Sequence, residues 1–74
     1  MSDNGRVFLE RRLDRLLVKL DGDLSPLERV AWRGCYYWVL EELRQGIDTY
    51  ASVSVYVWYA QKIDGEGKRY IAVR

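Results

Sequence analysis

Little in this chain is equipped for covalent or acid–base chemistry. Its 74 residues contain no histidine and a single cysteine, which removes the commonest general base, the commonest metal ligand and both familiar catalytic triads. Glu41 and Glu42 are the only adjacent carboxylates, and neighbours on a helix point in different directions, which is wrong for a paired acid and base. Cys35 would need a base and an electropositive, accessible setting to act as a nucleophile. It falls instead within an apolar stripe beside Gly34 and reads as a core cysteine. The run DGEG at Asp64 to Gly67 lacks both the spaced oxygen ligands of a calcium loop and the helix and lysine of a phosphate loop; it reads as a turn. One cysteine cannot build a tetrahedral zinc site. No catalytic residue, metal or cofactor is expected.

Binding chemistry is better represented. Arg29, Arg33, Tyr37 and Arg44 recur along one ridge of a helix and mix guanidinium groups with an aromatic ring, a pattern used on RNA and single strands. Against it stand a net charge of only +1 and the flanking Glu28, Glu41 and Glu42, so nucleic-acid binding through this ridge is the alternative reading. A second set, Arg11, Arg12, Arg15 and Lys19, gathers on one arc of an earlier helix with Phe8 inside it, a contact surface for an acidic partner or phosphate.

The elements that must position these residues follow from period and punctuation. Asp3 or Asn4 can cap a helix from Arg6 to Leu20, whose Leu9, Leu13, Leu16, Leu17 and Leu20 form one buried stripe. The polar linker from Asp21 to Ser25 contains Gly22 and reads as a turn between antiparallel helices. Ser25, Pro26 and Glu28 then spell a capping box with proline at the first helical position, and Gly46 is expected to close this second helix as a left-handed C-cap. Helix two carries two apolar stripes. Trp32, Tyr36, Val39, Leu40 and Leu43 form a large one suited to a sheet face, and Leu27, Ala31, Gly34, Cys35 and Trp38 form another, small enough in its middle for helix one to approach. From Tyr50 to Tyr59 the sequence YASVSVYVWY alternates strictly and predicts a strand; Lys68 to Val73, after the DGEG turn, predicts its hairpin mate. The expected fold is therefore α+β, with two N-terminal antiparallel helices followed by a C-terminal β-hairpin, in one domain over residues 1–74.

In that arrangement Val53, Val55, Val57 and Tyr59 face the helices, and Tyr50, Ser52, Ser54, Tyr56 and Trp58 face outward. Outward aromatics are the side chains most enriched where binding energy concentrates. The longer first strand also leaves an unpaired edge at residues 50–57, open to another chain or a second copy. The function expected is a non-catalytic protein-binding module, a small regulator or inhibitor of a larger protein complex. Its contacts are Tyr50, Ser52, Ser54, Tyr56 and Trp58, joined by Phe8, Arg11, Arg15 and Lys19; a homodimer through the strand edge or a structural oligomer is the other protein-level alternative. Size and composition alone liken it to phage-type modulators of a host machine such as RNA polymerase. With no paired cysteines, no apolar leader and no run of roughly 18 apolar residues, a cytoplasmic, reducing location without a membrane span is expected.

Overall fold

A computed structural model describes the backbone of residues 3–72 and the side chains of residues 4–63. Three helices follow one another: α1 (Asp3–Leu20), α2 (Pro26–Gln45) and α3 (Tyr50–Ala72). No strand is present among the described residues. The expected C-terminal hairpin, and with it the α+β class, is replaced by one long helix. That helix continues through Asp64 to Gly67 and takes in most of the expected second strand, of which Val73 lies outside the described residues.

The start of α2 follows its sequence signal closely. The Glu28 amide donates to Ser25 Oγ and the Ser25 amide to Glu28 Oε1, each at 3.3 Å, with Pro26 at the first helical position. These bonds hold the Glu28 carboxyl below its usual range. At the other end Gly46 has φ −93° and ψ 10° rather than a left-handed conformation. Its amide reaches both Glu42 O and Leu43 O while Ile47 N bonds Arg44 O, a tightened last turn that satisfies the terminal carbonyls without a positive φ. Similarly, α1 begins at Asp3, so Asp3 and Asn4 lie in the helix rather than capping it from outside.

α2 is the central element, packing along both α1 and α3, which themselves meet narrowly. Four leucines of the expected α1 stripe, Leu9, Leu13, Leu16 and Leu20, enter the core and face Tyr36, Val39, Leu40 and Leu43 of α2 and Tyr59 and Ile63 of α3, while the fifth, Leu17, is only half-buried at its edge. The large stripe of α2 thus packs on two helices, not on a sheet. The small stripe is not where helix one docks: Leu27, Ala31, Gly34, Cys35 and Trp38 are all exposed.

Why α3 is helical can be decided on magnitudes. Val53, Val55 and Val57 disfavour a helix by about 0.5 kcal/mol each. Beneath their alternation, Ser52, Val55, Tyr56, Tyr59 and Ile63 recur at helical spacing, and burying Tyr59 and Ile63 alone is worth about 1.5–3 kcal/mol apiece. Thr49 supplies the missing start signal, its Oγ1 accepting from the Ser52 amide at 3.2 Å while its carbonyl accepts from Val53 N at 3.1 Å.

Two tyrosine hydroxyls tie the three helices together. Tyr36, fully buried on α2, donates to the Tyr59 carbonyl of α3 at 2.8 Å. Tyr59 in turn donates to Asp14 Oδ1 of α1 at 2.7 Å, with the Glu10 carbonyl at 3.2 Å. Burial makes both phenols weaker acids, pushing their pKa well above the ordinary tyrosine value, reinforced for Tyr36 by Tyr59 and for Tyr59 by its bond to Asp14. The folded state therefore holds these protons where the unfolded chain releases them at about pH 10, so the contribution of the two tyrosines to stability is flat below that pH and falls above it. In an alkaline titration followed by circular dichroism, the bundle should lose stability as pH rises past about 10. Tyr36→Phe should shallow that decline while costing about 1 kcal/mol at neutral pH, read as a lower Tm.

Candidate interaction surface

The helical form of residues 50–63 redistributes the residues expected on one strand face. Tyr50 (87% exposed), Ser54 and Trp58 (47% exposed) stay on the outside at i, i+4 and i+8. Ser52 is buried, 5% exposed, with its hydroxyl 3.0 Å from Thr49 Oγ1, and Tyr56 packs partly against the core. Two members of the expected contact set therefore belong to the inner face. In exchange Val53 and Val57, expected in the core, are exposed between Tyr50 and Trp58.

The result is an outward stripe of Tyr50, Val53, Ser54, Val57 and Trp58 at i, i+3, i+4, i+7 and i+8, back to back with the core stripe of the same helix. No Asp, Glu, Lys or Arg occurs between Asp48 and Lys62, so this part of α3 is uncharged all round while only one side is covered. A helix apolar on every side is normally buried on every side. Trp58 is held in place at the edge of the stripe: its ring meets that of Tyr59 edge-on at 4.8 Å and 88°, and the Lys62 ammonium lies 4.9 Å from its centroid. Beside it Glu10, Val55, Trp58 and Tyr59 line an open groove of about 280 Å³ between α1 and α3.

Residues 50–57 are helical rather than extended, so the strand edge expected to pair with another chain or a second copy does not exist. The residues of the alternative nucleic-acid ridge each make contacts within the chain. The Arg29 guanidinium reaches back across the turn to Leu20 O and, at 3.1 Å, to Gly22 O, closing the C-terminus of α1. Arg33 lies 5.5 Å from the Tyr37 ring centroid and donates to its hydroxyl at 3.4 Å. Arg44 makes a two-pronged contact to Glu41, with nitrogen–oxygen distances of 2.6–3.0 Å, which holds the Glu41 carboxyl below its usual range.

Cys35 is exposed on the outer side of α2 rather than in the core. Glu41 engages Arg44 and Glu42 points to solvent, so the structure does not bring the two carboxylates together. Phe8, Arg11, Arg12, Arg15 and Lys19 are all exposed on α1, and Lys19 sits 5.2 Å from the Trp32 ring centroid. Among the described residues no group of three or more His, Cys, Asp or Glu could hold a metal ion, and no described helix is long and apolar enough to cross a membrane. Comparison with protein-family models, curated proteins and solved structures finds no match.

Arg29 is assigned by these contacts to the fold. Arg29→Met keeps the aliphatic stem but uncaps α1, and should destabilise the chain by about 1–2 kcal/mol in chemical denaturation. Arg44→Gln, which removes an exposed pair, should cost no more than about 0.5 kcal/mol. Equal effects of the two changes would show that Arg29 is only a surface charge.

Proposed function

We infer that this chain is a non-catalytic protein-binding module, and that its recognition element is the outer stripe of α3. The observation that carries the reading is the uncharged stretch between Asp48 and Lys62, folded as a helix with Tyr50, Val53, Val57 and Trp58 toward solvent. Charges there would cost the bundle nothing, so their absence is the expense of a surface meant to be covered. An apolar face with anchors at i, i+3, i+7 and i+8 is the form in which a helix is read by a groove on a partner. Trp58 suits the role of anchor, because its contacts with Tyr59 and Lys62 restrict the ring before binding and lower the ordering entropy lost on association.

The partner is a protein presenting an apolar groove, and the module acts by occupying that surface as a small regulator or inhibitor. Its likeness to phage-type modulators of host machines remains one of size and composition. The exposed, unbridged Cys35 thiol suits a reducing compartment such as the cytoplasm. Self-association through the same stripe is the competing protein-level reading.

The test pairs a melting curve with a binding measurement on the double variant Tyr50→Ser, Trp58→Ser. Both side chains project outward, so Tm should shift by only a few degrees, as about 0.5–1 kcal/mol would give. Association with the partner captured and identified by cross-linking in extracts of the source cell should weaken by about 2 kcal/mol or more. A strongly destabilised protein whose folded fraction still binds would return these rings to the fold and end the reading. A wild-type chain that sediments as a dimer, and a variant that sediments as a monomer, would replace the foreign partner by a second copy.

A further inference from the structure

The outer face of α1 takes no part in the α3 stripe or in the core. Phe8, Arg11, Arg12, Arg15 and Lys19 share one arc at about 100° per residue, and the arc runs for about 16 Å along the axis at 1.5 Å per residue. All five side chains are exposed, and none of the five is acidic. Glu10 and Asp14 lie on the flank toward α3, where Tyr59 bonds to both residues.

The arginines with described side chains, the half-buried Arg6 apart, fall into two groups. Arg29, Arg33 and Arg44 each make hydrogen bonds within the chain. Arg11, Arg12 and Arg15 make no hydrogen bond, ion pair or ring contact among the described residues. Arg11 and Arg15 are like charges at i, i+4, an arrangement that weakens a helix by a few tenths of a kcal/mol. The fold gains nothing visible from keeping them together. Guanidinium, planar and permanently charged, matches the geometry of phosphate and carboxylate oxygens.

We propose that this arc binds the phosphate backbone of a nucleic-acid duplex, without reading base sequence. What favours phosphate over an acidic protein surface is the centre of the face. Protein interfaces concentrate their energy in a desolvated apolar centre, whereas here the centre is Arg11, Arg12 and Arg15, with Phe8 at one end. Backbone binding needs no such centre, because affinity comes from released counterions. A membrane surface is disfavoured because an interfacial helix lays its apolar side into the lipid, and the apolar side of α1 is the leucine stripe inside the core. The duplex is favoured over a single strand because its charge density along the axis is twofold higher. The arc is local, so a net charge of +1 for the whole chain does not weigh against it. The proposal stands apart from the α3 reading and shares no residue with it.

The experiment is fluorescence anisotropy of a labelled duplex of about 20 bp, of arbitrary sequence, titrated with the full chain between about 50 and 200 mM salt. Four cations at about 0.9 counterions each predict a slope of log affinity against log salt of about −3 to −4. R11S/R12S/R15S should reduce the slope to about −1 and weaken binding at least tenfold at the lowest salt, with the helical spectrum retained. R11K/R12K/R15K should keep the wild-type slope, and Arg44→Gln should not alter it. If the triple serine variant loses helicity, Arg12→Ser alone carries the test, with an expected loss of about one in the slope. The proposal is overturned by an absence of binding at about 50 mM salt, by a slope indifferent to the serine changes, or by tighter binding of a poly-glutamate peptide or anionic lipid vesicles through the same three arginines.

Discussion

Tyr36 must find an acceptor for a fully buried hydroxyl, and the rest of the bundle is arranged around that requirement. A buried phenol without a partner would cost about 1–3 kcal/mol, a large fraction of what so small a chain has to spare. The acceptor is the carbonyl of Tyr59 on α3, at 2.8 Å, which fixes the depth of α3 against α2. The Tyr59 hydroxyl then ends on Asp14 of α1, at the edge of the core where a carboxylate remains hydrated. Leucines alone would let the three helices slide at little cost, since apolar contact is not directional. The hydrogen bonds from Tyr36 to Tyr59 and from Tyr59 to Asp14 select one register.

That register has consequences for the surface. With Tyr59 inward, helical geometry sends Tyr50, Val53, Val57 and Trp58 to the opposite side of α3. The same happens on α2, where Tyr36 inward leaves Leu27, Val30 and Trp38 outward, the last 68% exposed. The aromatic crowding of α2 is thus resolved by function of face: Trp32 and Tyr36 contribute to the core, and Trp38 does not. A chain this short buries only about 60% of its unfolded surface, so some apolar exposure is unavoidable. A contiguous uncharged stripe is a different matter, since isolated apolar residues scatter among charges on ordinary surfaces.

Arginine is used in two distinct ways. Arg29 closes the carbonyl end of α1 from the first turn of α2, which fastens the helix–turn–helix unit at the point where Gly22 brings the chain around. A Cβ at Gly22 would stand 3.2 Å from Lys19 O, so the turn itself is tight. Arg33 stacks locally on the Tyr37 ring, and Arg44 is paired with the Glu41 carboxylate. Among the described residues, the arginines without an internal partner, Arg11, Arg12 and Arg15, lie on the outward face of α1. The apolar α3 face and the basic α1 face lie on different helices of one small bundle, so the two proposed contacts would draw on different driving forces, desolvation for the first and counterion release for the second.

The first two helices were legible from residue order because their signals are local. The leucine spacing of α1 and the Ser25–Pro26–Glu28 box of α2 act through bonds and contacts within one turn, and both appear as read. The absence of histidine and of a second cysteine bounds the chemistry whatever the fold. The third helix was not legible, because YASVSVYVWY satisfies period 2 and the helical set Ser52, Val55, Tyr56 and Tyr59 at once. Local preference leaned toward strand; the choice fell to the groove between α1 and α2, which accepts Tyr59 and Ile63 along one helical side. The Thr49 cap was the only local hint. Reversing the period moved Ser52 and Tyr56 inward and Val53 and Val57 outward, so the composition of the candidate surface, unlike its location on residues 50–58, was decided by tertiary packing. Partners of the arginines were decided the same way, since which of them meets a carbonyl, a ring or a carboxylate depends on how α2 lies against its neighbours, and one-dimensional order carries no record of that distance.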